Sequence, residues 1–230
     1  MPLYSGYTIV FDLDGTLVDT APDLTAALNH VLVGEGRAPL PQAEVRNLVG
    51  HGARALIERG MRAEGATPNE PELQRMLQNF LLFYGENIAT HSTLFPGVTE
   101  TLAHFRGQQA LLGVCTNKPA ALSEALFSAL DMRGQFEAVL GSDSLPVRKP
   151  DPLHLIETVR QAGGDPARAV MVGDSATDVD TARAANIPVV LVSFGYTLIP
   201  AHELGADRVI DRFDSLTHVL PDLLRLDRTG

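Results

Sequence analysis

Thr8-Ile-Val-Phe-Asp-Leu-Asp-Gly-Thr-Leu-Val-Asp19 is the stretch from which the fold is read. Thr8 to Phe11 is a short apolar run, β-branched at its first three positions, as suits a strand buried on both faces of a parallel sheet. It stops abruptly at Asp12, Asp14 and Gly15. Open α/β sheets bind ligands at the carboxyl ends of their strands, so chemistry is expected here. Gly15 permits a sharp turn and close backbone approach to a ligand. Two carboxylates one residue apart suit a hard cation such as Mg²⁺, or a nucleophile beside an acid/base. A strand followed by an ordinary Asp-Gly turn explains the stretch alone equally well.

Beyond Asp19 the periodicity becomes helical. Thr20-Ala-Pro-Asp-Leu reads as a helix start, with Thr20 as the capping residue and an early proline. Leu24, Ala27, Leu28, Val31 and Leu32 give that helix an apolar face. Further helices are expected over Glu44 to Leu48, Ala53 to about Glu64, and Pro71 to near Ala89, with a break at Gly50-His51-Gly52. No strand pattern falls between Thr20 and Ser92, so residues 19–92 are expected to form an inserted helical cap. Residues 1–18 and 93–230 would form the core. Strand and helix alternate from Phe95 onward, which implies a doubly wound, mostly parallel, Rossmann-like α/β sheet.

With 45% hydrophobic and 20% charged residues the chain is an ordinary globular one. No apolar run is as long as a membrane span, and the N-terminus lacks the pattern of a secretory signal. The single cysteine, Cys115, excludes an intramolecular disulfide and reads as a small core residue. These features favour a cytoplasmic protein without a membrane partner. A formal net charge of -10 argues against nucleic acid as a partner. The chain has sixteen arginines but only two lysines, Lys118 and Lys149, both beside candidate site motifs. The histidines show no metal-ligand spacing.

Four strand or loop ends carry polar groups of complementary chemistry. They are Asp12 with Asp14, Thr116 with Asn117, Lys149, and Asp174 with Asp178. Each has an ordinary explanation by itself. Thr116 could cap a helix, Lys149 could be a solvated loop residue, and Asp174 and Asp178 could stabilise a helix N-terminus. Carboxylate, hydroxyl, ammonium and carboxylate on one sheet edge are much less expected by chance.

Phe11-Asp-Leu-Asp-Gly-Thr-Leu-Val-Asp19 resembles the first motif of the haloacid dehalogenase superfamily. Thr116-Asn117, Lys149-Pro150 and Gly173-Asp174-x-x-x-Asp178 are similar to its second, third and fourth motifs, in order, and the helical insert resembles its C1-type cap. A finer resemblance is to the bacterial phosphoglycolate phosphatase group. It rests on Asp12 to Thr20, Val49-Gly-His-Gly-Ala53, Phe95-Pro-Gly97, Thr116-Asn-Lys-Pro119, Lys149-Pro-Asp-Pro152 and Val172-Gly-Asp-Ser175.

The resemblance implies phosphoryl transfer through an aspartyl-phosphate on Asp12. It implies Mg²⁺ held by Asp12, the backbone carbonyl of Asp14, and Asp174, with Asp178 orienting Asp174 or a metal water. Lys149, Thr116 and backbone N–H groups near Leu13 and Asn117 would bind the phosphoryl oxygens. Asp14 would be general acid, then base. Asp14 separates the chain from dehalogenases proper, which lack this second aspartate. A cap without lysine excludes the Schiff-base chemistry of phosphonatases. Thr16 stands where β-phosphoglucomutases usually carry valine.

The loop Gly50-His51-Gly52-Ala53-Arg54 is the expected specificity element, with Gly52 and the helix start attracting a small anion and Arg54 pairing with it. Equally, the glycines could mark only a helix break and Arg54 could be solvated. The expected substrate is 2-phosphoglycolate. A pyrophosphatase, a broad sugar-phosphate phosphatase and a β-phosphoglucomutase-like mutase remain alternatives, as do, from other classes, a signalling phospho-acceptor and a non-catalytic binding protein. Monomer and homodimer are both left open.

Overall fold

The computed structural model describes residues 2–226. Six strands form one fully parallel sheet: β1 (Thr8–Phe11), β4 (Leu111–Cys115), β5 (Ala138–Leu140), β6 (Ala169–Gly173), β7 (Val189–Val192) and β8 (Arg208–Ile210), in the order β5-β4-β1-β6-β7-β8. Strand β1 is central, with Phe11 in register with Val114 of β4 and Val172 of β6. The chain winds outward from β1 through β4 to β5, then crosses back to β6 on the other side of β1. The winding therefore reverses between β1 and β6, and a crevice opens there at the strand carboxyl ends.

Alternation along each strand sends side chains to two covered faces. Ile9, Phe11, Val170, Val172, Val190 and Val192 pack with α5 (Val98–Gly107), α6 (Ala120–Ala129) and α9 (Leu216–Leu223). Val10, Met171, Val189 and Leu191 pack on the opposite face with α7 (Pro152–Gln161) and α8 (Ala176–Ala184). Cys115 joins this second face, fully buried, and burial pushes its thiol up to about 12. It is a core residue, as its strand position implied.

Between Asp19 and Thr93 lie four helices: α1 (Ala21–Gly34), α2 (Gln42–Arg46), α3 (Ala53–Ala63) and α4 (Glu70–Glu86). They enclose a hydrophobic cluster of their own around Leu28, Leu32, Ile57, Met61, Phe80 and Tyr84, and Leu122 of α6 packs against it. Asn69 and Glu72 form a reciprocal capping box at the start of α4, and Pro71 fits the first turn, where no N–H partner is needed. The start of α1 differs from expectation. Thr20 is fully buried but makes no capping bond, and its hydroxyl finds no partner. The carboxylate of Asp23 instead ties the two ends of the module together, accepting from the N–H of His91 and from the N–H (2.8 Å) and hydroxyl (2.7 Å) of Ser92.

The entry and exit chains pair as a two-stranded antiparallel ribbon, β2 (Val18–Asp19) with β3 (Thr93–Leu94). Two-residue strands are too short to leave a pattern, so this ribbon was not expected. No helix among the described residues is long and apolar enough to cross a membrane.

Candidate active site

The fold brings the four polar strand ends together at the crevice between β1 and β6. Asp12 follows β1 directly, and its backbone N–H donates to Val172 O, continuing the β1–β6 ladder. Its carboxylate accepts from Leu13 N–H at 2.7 Å and lies 2.9 Å from the Lys149 ammonium. Lys149 is also 2.7 Å from Asp178, and both side chains are essentially buried. The other oxygen of Asp178 accepts from the N–H groups of Asp174 and Ser175 and from the Ser175 hydroxyl. Asp178 thus braces both the lysine and the turn that carries Asp174.

Asp174 sits between two glycine backbones. A methyl on Gly15, whose φ is +86°, would overlap its carboxylate, and one on Gly195 would overlap its Cβ. Only glycine allows this approach at either position. The Asp174 carboxylate also accepts from Tyr196 N–H. Tyr196 continues the connection outward: its hydroxyl donates to Asp19 and accepts from Ala21 N–H, while Arg46 of α2 stacks 4.9 Å from its ring.

Charge is unbalanced in this pocket. Carboxylate oxygens of Asp12, Asp174 and Asp178 all lie within 4.8 Å of one another, and all three residues are buried. Burial raises Asp12 to about 6, reinforced by Asp178 and Asp14 and opposed by Lys149. Burial, then repulsion from Asp178 and Asp12, pushes Asp174 well above the usual carboxylate range. Burial alone would lower Lys149, but Asp12 and Asp178 outweigh it and raise it. One ammonium among three carboxylates leaves a deficit of positive charge that a divalent cation on oxygen ligands would correct. Both oxygens of Asp178 are already engaged, so the donor set best fitted to such an ion is Asp12 with Asp174.

A cavity of about 40 Å³ lies over the site, between the sheet edge and the helical module. Asp12, Asp14, Thr116, Asn117 and Lys118 form its floor; Leu24, Val49, Gly50, Gly52, Ala53, Leu56, Phe80 and Tyr84 contribute its roof. The Lys118 ammonium is 3.0 Å from Asp14 and 2.6 Å from the Tyr84 hydroxyl, and it stands 4.4 Å from the Tyr84 ring centroid. Burial, then the negative Asp14 and Asp23, holds the Tyr84 hydroxyl well above its usual range, so it stays protonated.

Residues 9–192 match the family model described as haloacid dehalogenase-like hydrolase. The chain belongs to the haloacid dehalogenase-like hydrolases. A protein named phosphoglycolate phosphatase from Mesorhizobium japonicum is 50% identical over 216 residues, covering 94% of this chain and 95% of the relative. Another of that name, from Caulobacter vibrioides, is 51% identical over 209 residues, covering 91% and 88%. The crystal structure of a predicted phosphoglycolate phosphatase from Haemophilus somnus superposes with a TM-score of 0.87 at 32% identity, covering 93% of this chain and 97% of that one. This haloacid dehalogenase-like hydrolase is thus an enzyme, a phosphatase of the phosphoglycolate-phosphatase-like kind.

Most residues singled out in the sequence of this hydrolase converge: Asp12, Asp14, Thr116, Asn117, Lys149, Asp174 and Asp178 at the sheet edge, and Gly52 above it. The simpler explanations fail for several of them. Lys149 is only 3% exposed and is no solvated loop residue. Pro119, not Thr116, precedes α6, and the Thr116 hydroxyl accepts from Lys118 N–H. The Asn117 amide donates to Lys149 O, anchoring the lysine's loop. The Leu13 N–H, expected to face a phosphoryl oxygen, bonds the Asp12 carboxylate itself.

Arg54 departs most from expectation. Its guanidinium makes a bidentate pair with Glu70 at 2.8 and 2.6 Å and a further contact with Glu58 at 3.2 Å, so two glutamates of the helical module compete successfully for it. Arg54 is absent from the cavity lining, where Gly52 and Ala53 appear. Lys118 and Tyr84 were assigned no role in the sequence, although the rarity of lysine pointed to the first. Tyr196 gave no signal beyond its place after a strand.

Proposed function

We propose that this enzyme is a Mg²⁺-dependent phosphomonoesterase that hydrolyses 2-phosphoglycolate to glycolate and phosphate through an aspartyl-phosphate on Asp12. The observation that carries this reading is the buried Asp12–Lys149–Asp178 arrangement at the β1–β6 reversal, beside Asp174 and beneath the cavity. The relatives named phosphoglycolate phosphatase support the substrate.

Asp12 is held for attack by Leu13 N–H and Lys149, which fix the carboxylate rotamer before substrate arrives. Lys149, anchored by Asp178, offers positive charge to the phosphoryl oxygens as their charge redistributes. Thr116 supplies a hydroxyl to the same group. Asp14 protonates the departing ester oxygen, then takes the proton of the water that hydrolyses the acyl phosphate. A Mg²⁺ ion on Asp12, Asp174 and the Asp14 backbone carbonyl would supply the remaining charge neutralisation. Asp178 serves as the brace of Lys149 and the Asp174 turn rather than as a ligand.

Residues 19–92 act in this reading as a cap on the core formed by 1–18 and 93–230, hinged at the β2–β3 ribbon. Closure excludes water and presents Gly52 and the α4 face to the leaving group. The test is phosphate release, with and without Mg²⁺, from 2-phosphoglycolate, pyrophosphate, a hexose phosphate, a nucleoside monophosphate and an aryl phosphate. A Mg²⁺-dependent preference for 2-phosphoglycolate that is lost in Asp12→Asn is the expected result. Equal activity across the panel would discard the substrate, and activity independent of Asp12 would discard the mechanism.

A further inference from the structure

We infer that Lys118 is the residue that reads the substrate's carboxylate, selecting phosphate esters whose carboxyl carbon lies two bonds from the ester oxygen; this rests on the phosphatase reading above. Among the described residues lining the cavity, Lys118 is the one cation. The walls around it are apolar, chiefly Leu24, Val49, Leu56, Phe80 and Leu122. A carboxylate entering such a space beside Asp14 would be strongly disfavoured without a cation to meet it. Arg54, the other candidate, is committed to Glu70 and Glu58.

Distance then sets the class of acid. Lys118 Nζ is 3.0 and 3.3 Å from the two oxygens of Asp14, the group that protonates the ester oxygen. An ester oxygen at Asp14 is therefore close to Lys118 as well. A carboxylate attached through one intervening carbon reaches the same ammonium in an extended chain, whereas a longer acid must fold back to do so. An ammonium has three N–H donors, which here meet the two oxygens of Asp14 and the Tyr84 hydroxyl. The donor shared with the second Asp14 oxygen, the longest of the three contacts at 3.3 Å, is the one assigned to substrate.

Tyr84 lies on α4, whereas Lys118 follows β4 of the core. Its hydroxyl and ring face hold the ammonium in place at 5% exposure. The carboxylate-reading group is thus assembled from both the helical module and the sheet edge.

The experiment compares kcat/KM for 2-phosphoglycolate, 2-hydroxyethyl phosphate and 3-(phosphonooxy)propanoate in wild type, Lys118→Met and Lys118→Arg, with thermal melting as a folding check. Lys118→Met should lower kcat/KM for 2-phosphoglycolate about 10- to 100-fold more than for the uncharged 2-hydroxyethyl phosphate, as loss of a charge-assisted hydrogen bond implies. The excess should fall mainly on KM, and Lys118→Arg should recover part of it. An equal fall for both esters, with wild-type preference intact, would mean that Lys118 serves only Asp14 and would overturn the inference. If Lys118→Met does not fold, the wild type decides: turnover of the longer acid as efficient as that of 2-phosphoglycolate overturns the two-bond rule, and a preference of at least 10-fold supports it. A wild type with no preference for 2-phosphoglycolate over the other panel esters would instead overturn the underlying substrate reading.

Discussion

Asp12→Asn should abolish turnover yet stabilise the metal-free enzyme. Asp12 is one of three buried carboxylates served by one buried lysine, and its folded-state value is raised from 3.8 to about 6. A carboxyl raised on folding contributes stability that is fully present below pH 3.8 and lost as pH rises through about 6. The loss amounts to about 3 kcal/mol at pH 7.5, since each pH unit is worth about 1.4 kcal/mol. Asparagine removes that cost but turns a neutral amide toward Lys149, so the net gain should be about 2 kcal/mol, or roughly 5 °C in Tm for a chain of this size. The assay is thermal and urea unfolding of both proteins in EDTA at pH 7.5 and 4.5. The difference should shrink to about 1 kcal/mol or less at pH 4.5, where wild type takes up the proton. In saturating Mg²⁺ the order should reverse, because the ion stabilises the intact carboxylate pair by mass action. An Asp12→Asn protein less stable than wild type in EDTA at pH 7.5 would refute the charge-deficit argument.

Gly15→Ala would drive a methyl into the Asp174 carboxylate and to 2.9 Å from Tyr196, at a φ that alanine avoids. The concentration of Mg²⁺ giving half-maximal activity should rise about 10-fold or more, equivalent to at least about 1.4 kcal/mol; an unchanged value would contradict the tight packing of Gly15 on Asp174. Tyr196→Phe removes the bonds to Asp19 and Ala21 and should cost about 1–2 kcal/mol in urea unfolding; no change would mean that these two bonds contribute nothing. Arg54→Ala should change kcat/KM by less than about 3-fold, and alike for all esters, as expected for an exposed ion pair; a selective loss on 2-phosphoglycolate would return the carboxylate-reading role to Arg54. Cys115, fully buried and raised to about 12, should react with a disulfide reagent only after unfolding, and rapid modification of native enzyme would contradict its place in the core.

The sheet was legible because each of its longer strands is an apolar run cut off by a polar or glycine residue, as at Phe11-Asp12 and Val172-Gly173-Asp174. The four helices between Asp19 and Thr93 were legible from periodicity, with boundaries within a few residues. What escaped notice is structure made by pairing distant segments. The β2–β3 ribbon spans two residues on each side and has no pattern of its own. Thr20 looked like a cap by type, but its buried hydroxyl makes no such bond, and Asp23 does the tying instead.

At the site, motif residues could be seen because they sit beside strand ends in one order. Partners that arrive from elsewhere could not. Tyr84 meets Lys118 across 34 positions and Tyr196 meets Asp19 across 177. Arg54 suited an anion by residue type, and the glutamates that engage it lie on its own helix and at the start of the next.

The central claim is that Asp12 accepts the phosphoryl group. The most direct measurement is acid quench of enzyme mixed with 2-[³²P]phosphoglycolate and Mg²⁺ on the millisecond scale, followed by peptide mapping. The account predicts protein-bound label, released by hydroxylamine, on the peptide that contains Asp12, and none in Asp12→Asn. Phosphate release at full rate with no label on that peptide at any time, or label on another residue, would contradict it.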